Sequence, residues 1–131
     1  MGSYLTAKEL FGKAETALNS SQLLFKSGDF DGACNRAYYA MFDAARAALL
    51  VADGDDSVLS VKTHSGLISA FSLRIVKPGK VNVELGKSFN KVEDLRLVAD
   101  YKGDPVEPEQ AQWALDQAKI FVETLKELST R

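Results

Sequence analysis

The stretch that decides the fold is DFDGACNRAYYAMFDAARAALL, residues 29–50. On a helix that turns about 100° per residue, its alanines form one line: Ala33, Ala37, Ala40, Ala44 and Ala48. Such small side chains let a neighbouring helix approach closely. Large apolar residues lie beside the line, namely Tyr38, Met41, Phe42 and Leu49, so more than half of the circumference is apolar. This pattern predicts a helix over 30–52 at the centre of a helical bundle.

The residues before this stretch predict a first helix that ends just ahead of it. Thr6 and Glu9 have the spacing of a capping box, in which each side chain bonds a backbone N–H of the first turn. Apolar residues then recur at helical spacing as far as Gly28, which suits a left-handed helix end. Asp29 follows at once as a helix N-cap. The two helices are therefore expected to form a tight αα-hairpin.

Three more helices are expected after it. One starts near Thr63, one covers 82–101, and Pro108 fits the first turn of a helix over 107–128. The alternation that is typical of strands is missing, and 131 residues suffice for one well-buried core. The fold class is therefore predicted to be all-α, an up-and-down bundle of four to five helices in a single domain, residues 1–131.

Composition excludes several classes of function. The net charge is −2, so no overall positive field points to general nucleic-acid binding. One cysteine and one histidine cannot assemble a metal cluster, and we expect no metal and no cofactor. No apolar run is long enough for a membrane span, and no secretory pattern opens the chain. The expected location is the cytoplasm, without membrane association.

Arg96 is the unusual residue of the fourth helix. It projects into the middle of an apolar stripe formed by Leu85, Phe89, Val92 and Ala99. A guanidinium there needs water or a partner, because an unpaired buried charge is very costly. Asp100, one turn later, is the local candidate. Two interpretations stay open: a structural Arg–Asp pair, or a cleft or symmetric interface where Arg96 faces phosphate or a partner chain.

Three other features have a structural and a functional interpretation. His64, the only histidine, could act as a general base, although a histidine at a helix start more often caps or packs. Cys34 falls on the apolar side of the second helix and is expected to be an inert thiol. The remaining strip of that helix is either a solvated face or a site wall. It carries Arg36, Tyr39, Asp43 and Arg46.

Three segments together resemble one family. Residues 29–50, the segment THSGLISAF at 63–71 and the segment LRLVADY at 95–101 resemble, in the same order, the small stand-alone HEPN proteins of bacteria and archaea. The resemblance implies a four- or five-helix bundle that forms a two-fold dimer. It also implies a ribonuclease or toxin role in many members, and pairing with a minimal nucleotidyltransferase that in some pairs adenylates a tyrosine near the motif.

Residue by residue, the resemblance is incomplete. Arg96 matches the arginine of the family motif, but the motif histidine is replaced by Tyr101, preceded by Asp100. The chain therefore resembles an Arg-x3-Asp-Tyr subgroup. Tyrosine, whose ordinary pKa is about 10, is a poor base at neutral pH, and an Asp100 paired with Arg96 loses basicity. The resemblance thus favours binding of RNA or nucleotide phosphate over cleavage.

Three functional hypotheses follow. In the first, a homodimer paired with a minimal nucleotidyltransferase binds phosphate through Arg96 in the groove between the subunits, and Asp100 orients Arg96. Its groove is also lined by Arg36, Tyr39 and Asp43, and Tyr101 is a groove hydroxyl or the adenylate acceptor. In the second, Arg96, Asp100 and Tyr101 only stabilise the dimer of an interaction module. In the third, Asp100 or His64 replaces the missing histidine of a metal-independent ribonuclease.

Overall fold

The computed structural model describes residues 5–53 and 63–130, and these residues form helices with no strand. The helices are α1 (Ala7–Lys26), α2 (Phe30–Asp53), α3 (His64–Phe71), α4 (Val83–Leu97) and α5 (Pro108–Ser129). Helices α3 and α4 each continue into a wider π-helical turn, Ser72–Val76 and Val98–Lys102 respectively. The predicted all-α bundle is confirmed. The sequence also predicts a polar loop over residues 55–62, which lies outside the described residues.

The predicted helix boundaries follow from local hydrogen bonds. The Thr6 hydroxyl accepts a bond from Glu9 N–H at 3.1 Å, and the Glu9 carboxylate accepts one from Thr6 N–H at 2.9 Å. Gly28 adopts φ +89°, which only glycine takes up without strain, and it reverses the chain after α1. The Asp29 carboxylate then accepts from Gly32 N–H at 2.8 Å and caps α2. The two helices form the predicted hairpin.

Helix α2 lies at the centre of the bundle and contacts all four of the other helices. The five alanines of its stripe are buried, as predicted. A buried polar contact also joins α1 and α2: the Ser21 hydroxyl donates to the carbonyl of Ala33 at 2.7 Å. Burying a hydroxyl without a hydrogen bond is costly, so a register of the hairpin that breaks this contact is disfavoured.

The end of α4 differs from the regular helix predicted over 82–101. Its last residues form the wider turn Val98–Lys102, and Gly103, at φ +73°, ends it. The chain then runs to α5 along a fixed path, because the N–H of Val106 donates to the carboxylate of Asp31 at 2.7 Å. Among the described residues, none of the helices has the length and apolar character that a bilayer crossing requires.

Candidate functional site

Arg96 is buried in α4, with 7% of its surface exposed, and two carboxylates neutralise it. Its Nη1 donates to Asp100 Oδ2 at 2.9 Å, which is the predicted pair. Its Nε also donates to Glu93 Oε1 at 2.9 Å, and Nη2 lies 2.9 Å from the same oxygen. Sequence reasoning missed Glu93. The signal was its position, three residues before Arg96, on the same buried face of the helix.

The guanidinium of Arg96 lies over two tyrosine rings of α2. Its Cζ is 4.8 Å from the centre of the Tyr38 ring and 5.7 Å from that of Tyr39. Cations bind favourably to the face of an aromatic ring, more so where water is excluded. Burial by itself lowers the pKa of Arg96, but the hydrogen bond and charge of Glu93 outweigh it, and the pKa rises. Arg96 is therefore a permanent cation fixed between α2 and α4.

His64 joins this cluster from the start of α3. Its Nδ1 lies 2.6 Å from the Tyr38 hydroxyl, and its ring packs 4.8 Å from that of Phe42. The packing role expected of a helix-start histidine is therefore present. The ring also reaches the Arg96 cluster through Tyr38, although His64 lies 32 positions before Arg96 in the sequence. Only the packing of α3 on α2 brings these residues together.

Tyr38 stays protonated in this environment. Burial, and then the negative charge of Glu93, raise the pKa of its hydroxyl well above the ordinary value, although Arg96 acts in the opposite direction. The hydroxyl therefore keeps its hydrogen, and its oxygen can also accept a bond from Nδ1–H. Within the described residues, this contact at Nδ1 is the one hydrogen bond of the His64 ring. When Nδ1 carries the ring hydrogen and donates it to Tyr38, Nε2 is left with a free lone pair.

The strip of α2 predicted as a site wall lines a groove of about 760 Å³ against α1. Arg36, Tyr39 and Asp43 all border it, together with Lys13 of α1 and with Arg46. The guanidinium of Arg46 bonds the carboxylate of Asp43 at 3.2 Å. Sequence reasoning missed Lys13, because nothing in the spacing of α1 shows which of its exposed lysines faces α2.

Arg36 is incompletely paired in this groove. Its guanidinium lies 5.1 Å from the centre of the Tyr39 ring, and its buried Nε has no hydrogen-bond partner among the described residues. Buried donors are nearly always bonded. Asp43 is buried beside it, which raises the pKa of its carboxyl, while Lys13, Arg46 and Arg36 partly offset that rise. The groove therefore offers three cations around one buried carboxylate.

Tyr39 connects the groove with the Arg96 cluster, since both guanidiniums contact its ring. The predicted site residues thus fall into two adjoining groups on either side of Tyr39. Tyr101 belongs to neither group. It follows Asp100 in the wide turn, and 79% of its surface is exposed. The hydroxyl of Tyr101 is accordingly open to a second protein.

Within the described residues, neither the thiol of Cys34 nor the acidic side chains form a further reactive centre. Cys34 is fully buried, which raises its pKa to about 12, so it is an unreactive thiol as expected. In the described parts of the chain, no three His, Cys, Asp or Glu side chains converge as metal ligands do.

Comparison with known proteins agrees with this architecture. The sequence model of the HEPN domain matches residues 7–128. A UPF0332 protein of Thermotoga maritima is 39% identical, over 87% of this chain and 89% of its own. Two proteins of Methanocaldococcus jannaschii that are named as proposed toxins are 32% and 34% identical. They cover 91% and 86% of this chain, and 78% and 81% of their own lengths.

The two carboxylates that pair with Arg96, those of Glu93 and Asp100, are expected to contribute differently to the free energy of unfolding. Their side chains are 11% exposed for Glu93 and 37% for Asp100. Arg96→Leu leaves the buried Glu93 carboxylate unpaired, so it should lower the free energy of unfolding by about 3 kcal/mol. Asp100→Ala should cost less than about 1 kcal/mol, because water replaces its contact. Urea unfolding at pH 7 measures both.

The control is the double variant Arg96→Leu/Glu93→Leu, in which both charges of this buried pair are removed. It should recover most of the loss caused by Arg96→Leu alone. Equal losses for Arg96→Leu and Asp100→Ala, or no recovery in the double variant, would contradict a buried Arg96–Glu93 pair.

Proposed function

The chain belongs to the HEPN domain family, and we propose that it is a toxin-like member that binds the phosphates of an RNA strand or a nucleotide. The observation that carries the proposal is the incompletely bonded Arg36 in a groove that also presents Lys13 and Arg46. Arginine suits phosphate because its planar fork donates two parallel hydrogen bonds. The names of the Methanocaldococcus relatives support a toxin-like role.

Arg96 supplies a second phosphate contact when a phosphate replaces one of its two carboxylate partners. Glu93 holds Nε and Nη2 from a buried position, whereas Asp100 holds Nη1 from a position that water reaches. A phosphate that replaces Asp100 would keep the guanidinium charge neutralised, and Glu93 would keep its orientation. Asp100 is therefore a competitor for the phosphate site.

An RNA strand placed this way runs from the α1–α2 groove across Tyr39 to Arg96. Tyr39 and Phe42 both border the groove, and Phe42 also contacts the His64 ring. Aromatic side chains next to cations are the usual surface for single-stranded nucleic acid, because every base has a face that stacks. The ligand class is thus a single strand or a nucleotide, held by a local cluster of cations on a chain of net charge −2.

Substitutions at Arg96 and at Asp100, the two partners of one ion pair, should change the affinity for RNA in opposite directions. Arg96→Ala and Arg36→Ala should each weaken binding of a short fluorescent oligouridylate by about ten-fold, since a charged hydrogen bond contributes about 1.5 kcal/mol. Asp100→Asn should strengthen it, because the competing charge is removed. Fluorescence anisotropy at fixed salt measures all three. The control is Lys87→Ala, which removes an exposed lysine of α4 that pairs with Glu84.

Unchanged affinity in both arginine variants would refute the phosphate site. If Arg96→Ala instead shifted only the dimer–monomer equilibrium, measured by sedimentation, the cluster would belong to an interaction module.

The proposed partner is a minimal nucleotidyltransferase, and the proposed assembly is a two-fold dimer. The exposure of Tyr101 supports it as the adenylate acceptor, since a transferase must reach the hydroxyl. Tyr38 is fully buried and Tyr39 half-buried. An adenylate on Tyr101 would add a phosphate next to Asp100 and close to Arg96. It would then compete with RNA for the same guanidinium.

Modification is expected to depend on Tyr101 alone. In the transfer, the Tyr101 oxygen loses its proton and bonds to the α-phosphorus of ATP, and pyrophosphate leaves. Incubated with the transferase and ATP, the wild-type protein should gain one adenylate by mass spectrometry, and Tyr101→Phe should gain none. The affinity of Tyr101→Phe for oligouridylate should equal that of the unmodified wild type. Tyr4→Phe is the matched control and should still be modified. Adenylate mapped to another tyrosine would overturn the assignment.

His64 favours a second candidate function, that of a metal-independent ribonuclease. In the tautomer whose Nδ1–H donates to the Tyr38 oxygen, Nε2 would take the proton of a ribose 2′-hydroxyl as that oxygen bonds to the adjacent phosphorus. The bond from phosphorus to the 5′-oxygen then breaks, and the leaving oxygen takes a proton from water. The products are a 2′,3′-cyclic phosphate and a 5′-hydroxyl end. Asp100 suits the base role less well, because its carboxylate is already bonded to the Arg96 guanidinium.

In this second candidate, His64→Gln should abolish cleavage of unmodified RNA substrate while affinity stays within two-fold, because general-base loss removes about 10²-fold or more of the rate. Ser65→Ala, at the neighbouring exposed position, is the control and should cleave normally. Gel analysis of end-labelled RNA measures both. Intact RNA with clean wild-type protein would exclude this candidate and leave the phosphate-binding proposal standing.

A further inference from the structure

A second groove, of about 750 Å³, lies between the end of α4 and the start of α5, away from the α1–α2 groove. Its floor is apolar and includes a tryptophan: Leu95, Val98, Pro105, Val106 and Trp113. Its rim is acidic. The rim carries the carboxylates of Asp94, Asp104, Glu107 and Glu109 and one opposing ammonium, that of Lys91.

The walls of this groove are fixed in place. Val106 N–H is bonded to Asp31, Gly103 ends the wide turn in the left-handed conformation, and Gln110 Oε1 accepts from Glu107 N–H at 2.9 Å. Trp113, the one tryptophan of the chain, is only half-buried, so part of its large apolar side chain stays accessible. An accessible apolar surface with a polar rim typically marks a site of protein interaction. Fixed walls lower the entropy cost of binding.

The charge of the rim selects the occupant. Four carboxylates face one ammonium here, whereas the α1–α2 groove has three cations, Lys13, Arg36 and Arg46, and two carboxylates, Glu9 and Asp43. Nucleic acid and anionic lipid are repelled by such a rim, and complementary charge attracts a cationic ligand. The apolar floor requires that the ligand also carries apolar side chains. These two requirements together describe a basic amphipathic helix, which places one face in a groove and its cations at the rim.

We propose that the α4–α5 groove docks a basic amphipathic segment of a partner protein. Apolar side chains of that segment pack on Leu95, Val98 and Trp113, and its lysines or arginines pair with the rim carboxylates. The proposal goes beyond the phosphate-binding function and does not depend on it, because the two grooves share no lining residue.

Trp113 makes the groove directly observable, since it is the only tryptophan. The probe is an amphipathic Leu/Lys peptide without aromatic residues, titrated into the full-length chain while Trp113 fluorescence is recorded. We expect a saturable blue shift, and affinity that falls as salt rises. A Leu/Glu peptide of equal length, and a polylysine of equal charge, should leave the emission unchanged. A shift caused by polylysine would show attraction by charge alone and would overturn the proposal.

Matched charge reversals separate the groove from the bulk charge of the protein. Asp94→Lys/Glu109→Lys reverses one rim charge on α4 and one on α5, and should lower the affinity for the Leu/Lys peptide at least ten-fold. Glu84→Lys/Glu123→Lys makes the same change in net charge on the same two helices outside the groove. It should change the affinity less than two-fold. Equal losses of peptide affinity in both double variants would refute docking in the α4–α5 groove.

Two further outcomes would show that the α4–α5 groove holds a different occupant, either a second copy of the chain or RNA. If Trp113 emission shifts with protein concentration alone, in step with dimer formation, the groove is covered by a second copy and the proposal fails. An oligouridylate that shifts Trp113 would overturn it as well. Loss of oligouridylate binding in Arg36→Ala, with peptide binding intact, would show that the two sites act separately.

Discussion

The burial of the Arg96 guanidinium is the constraint on which the site depends. A cation with 7% of its surface exposed must be neutralised, and Glu93 and Asp100 do so on its own helix. Its faces also need partners, which the Tyr38 and Tyr39 rings of α2 supply. The pairing of α2 with α4 is therefore electrostatic as well as apolar. Because Tyr38 also bonds His64, the start of α3 is fixed to the same centre.

Much of this architecture can be read from local sequence, because its causes are local. The capping box of Thr6 and Glu9, the turn at Gly28 and the alanine stripe of α2 each act within a few residues. The pairing of Arg96 with Asp100, four residues apart on one helix, could be predicted for the same reason. Glu93 is equally close to Arg96 but was not predicted, because the spacing of three residues does not show which carboxylate a buried guanidinium contacts.

Contacts between helices could not be predicted in this way. Tyr38 and His64 are 26 positions apart, and Lys13 joins Arg36 and Arg46 only because α1 packs on α2. No periodicity specifies which residues of two helices meet. The wide turn at Val98–Lys102 is likewise invisible to a pattern with a fixed period, yet it determines the exposure of Tyr101. The resulting surface has two grooves of opposite charge, which suit an anionic ligand and a cationic segment respectively.

The proposed site requires that phosphate displaces Asp100 from Arg96 while Glu93 keeps its bond. Proton–nitrogen NMR of the Arg96 side chain, assigned with Arg96→Lys and recorded during titration with oligouridylate, observes this exchange. We expect the resonances of the Nη1 hydrogens to shift saturably, while that of the Nε hydrogen bonded to Glu93 stays in place. If RNA binds while every Arg96 resonance remains unchanged, Arg96 is purely structural and does not bind phosphate.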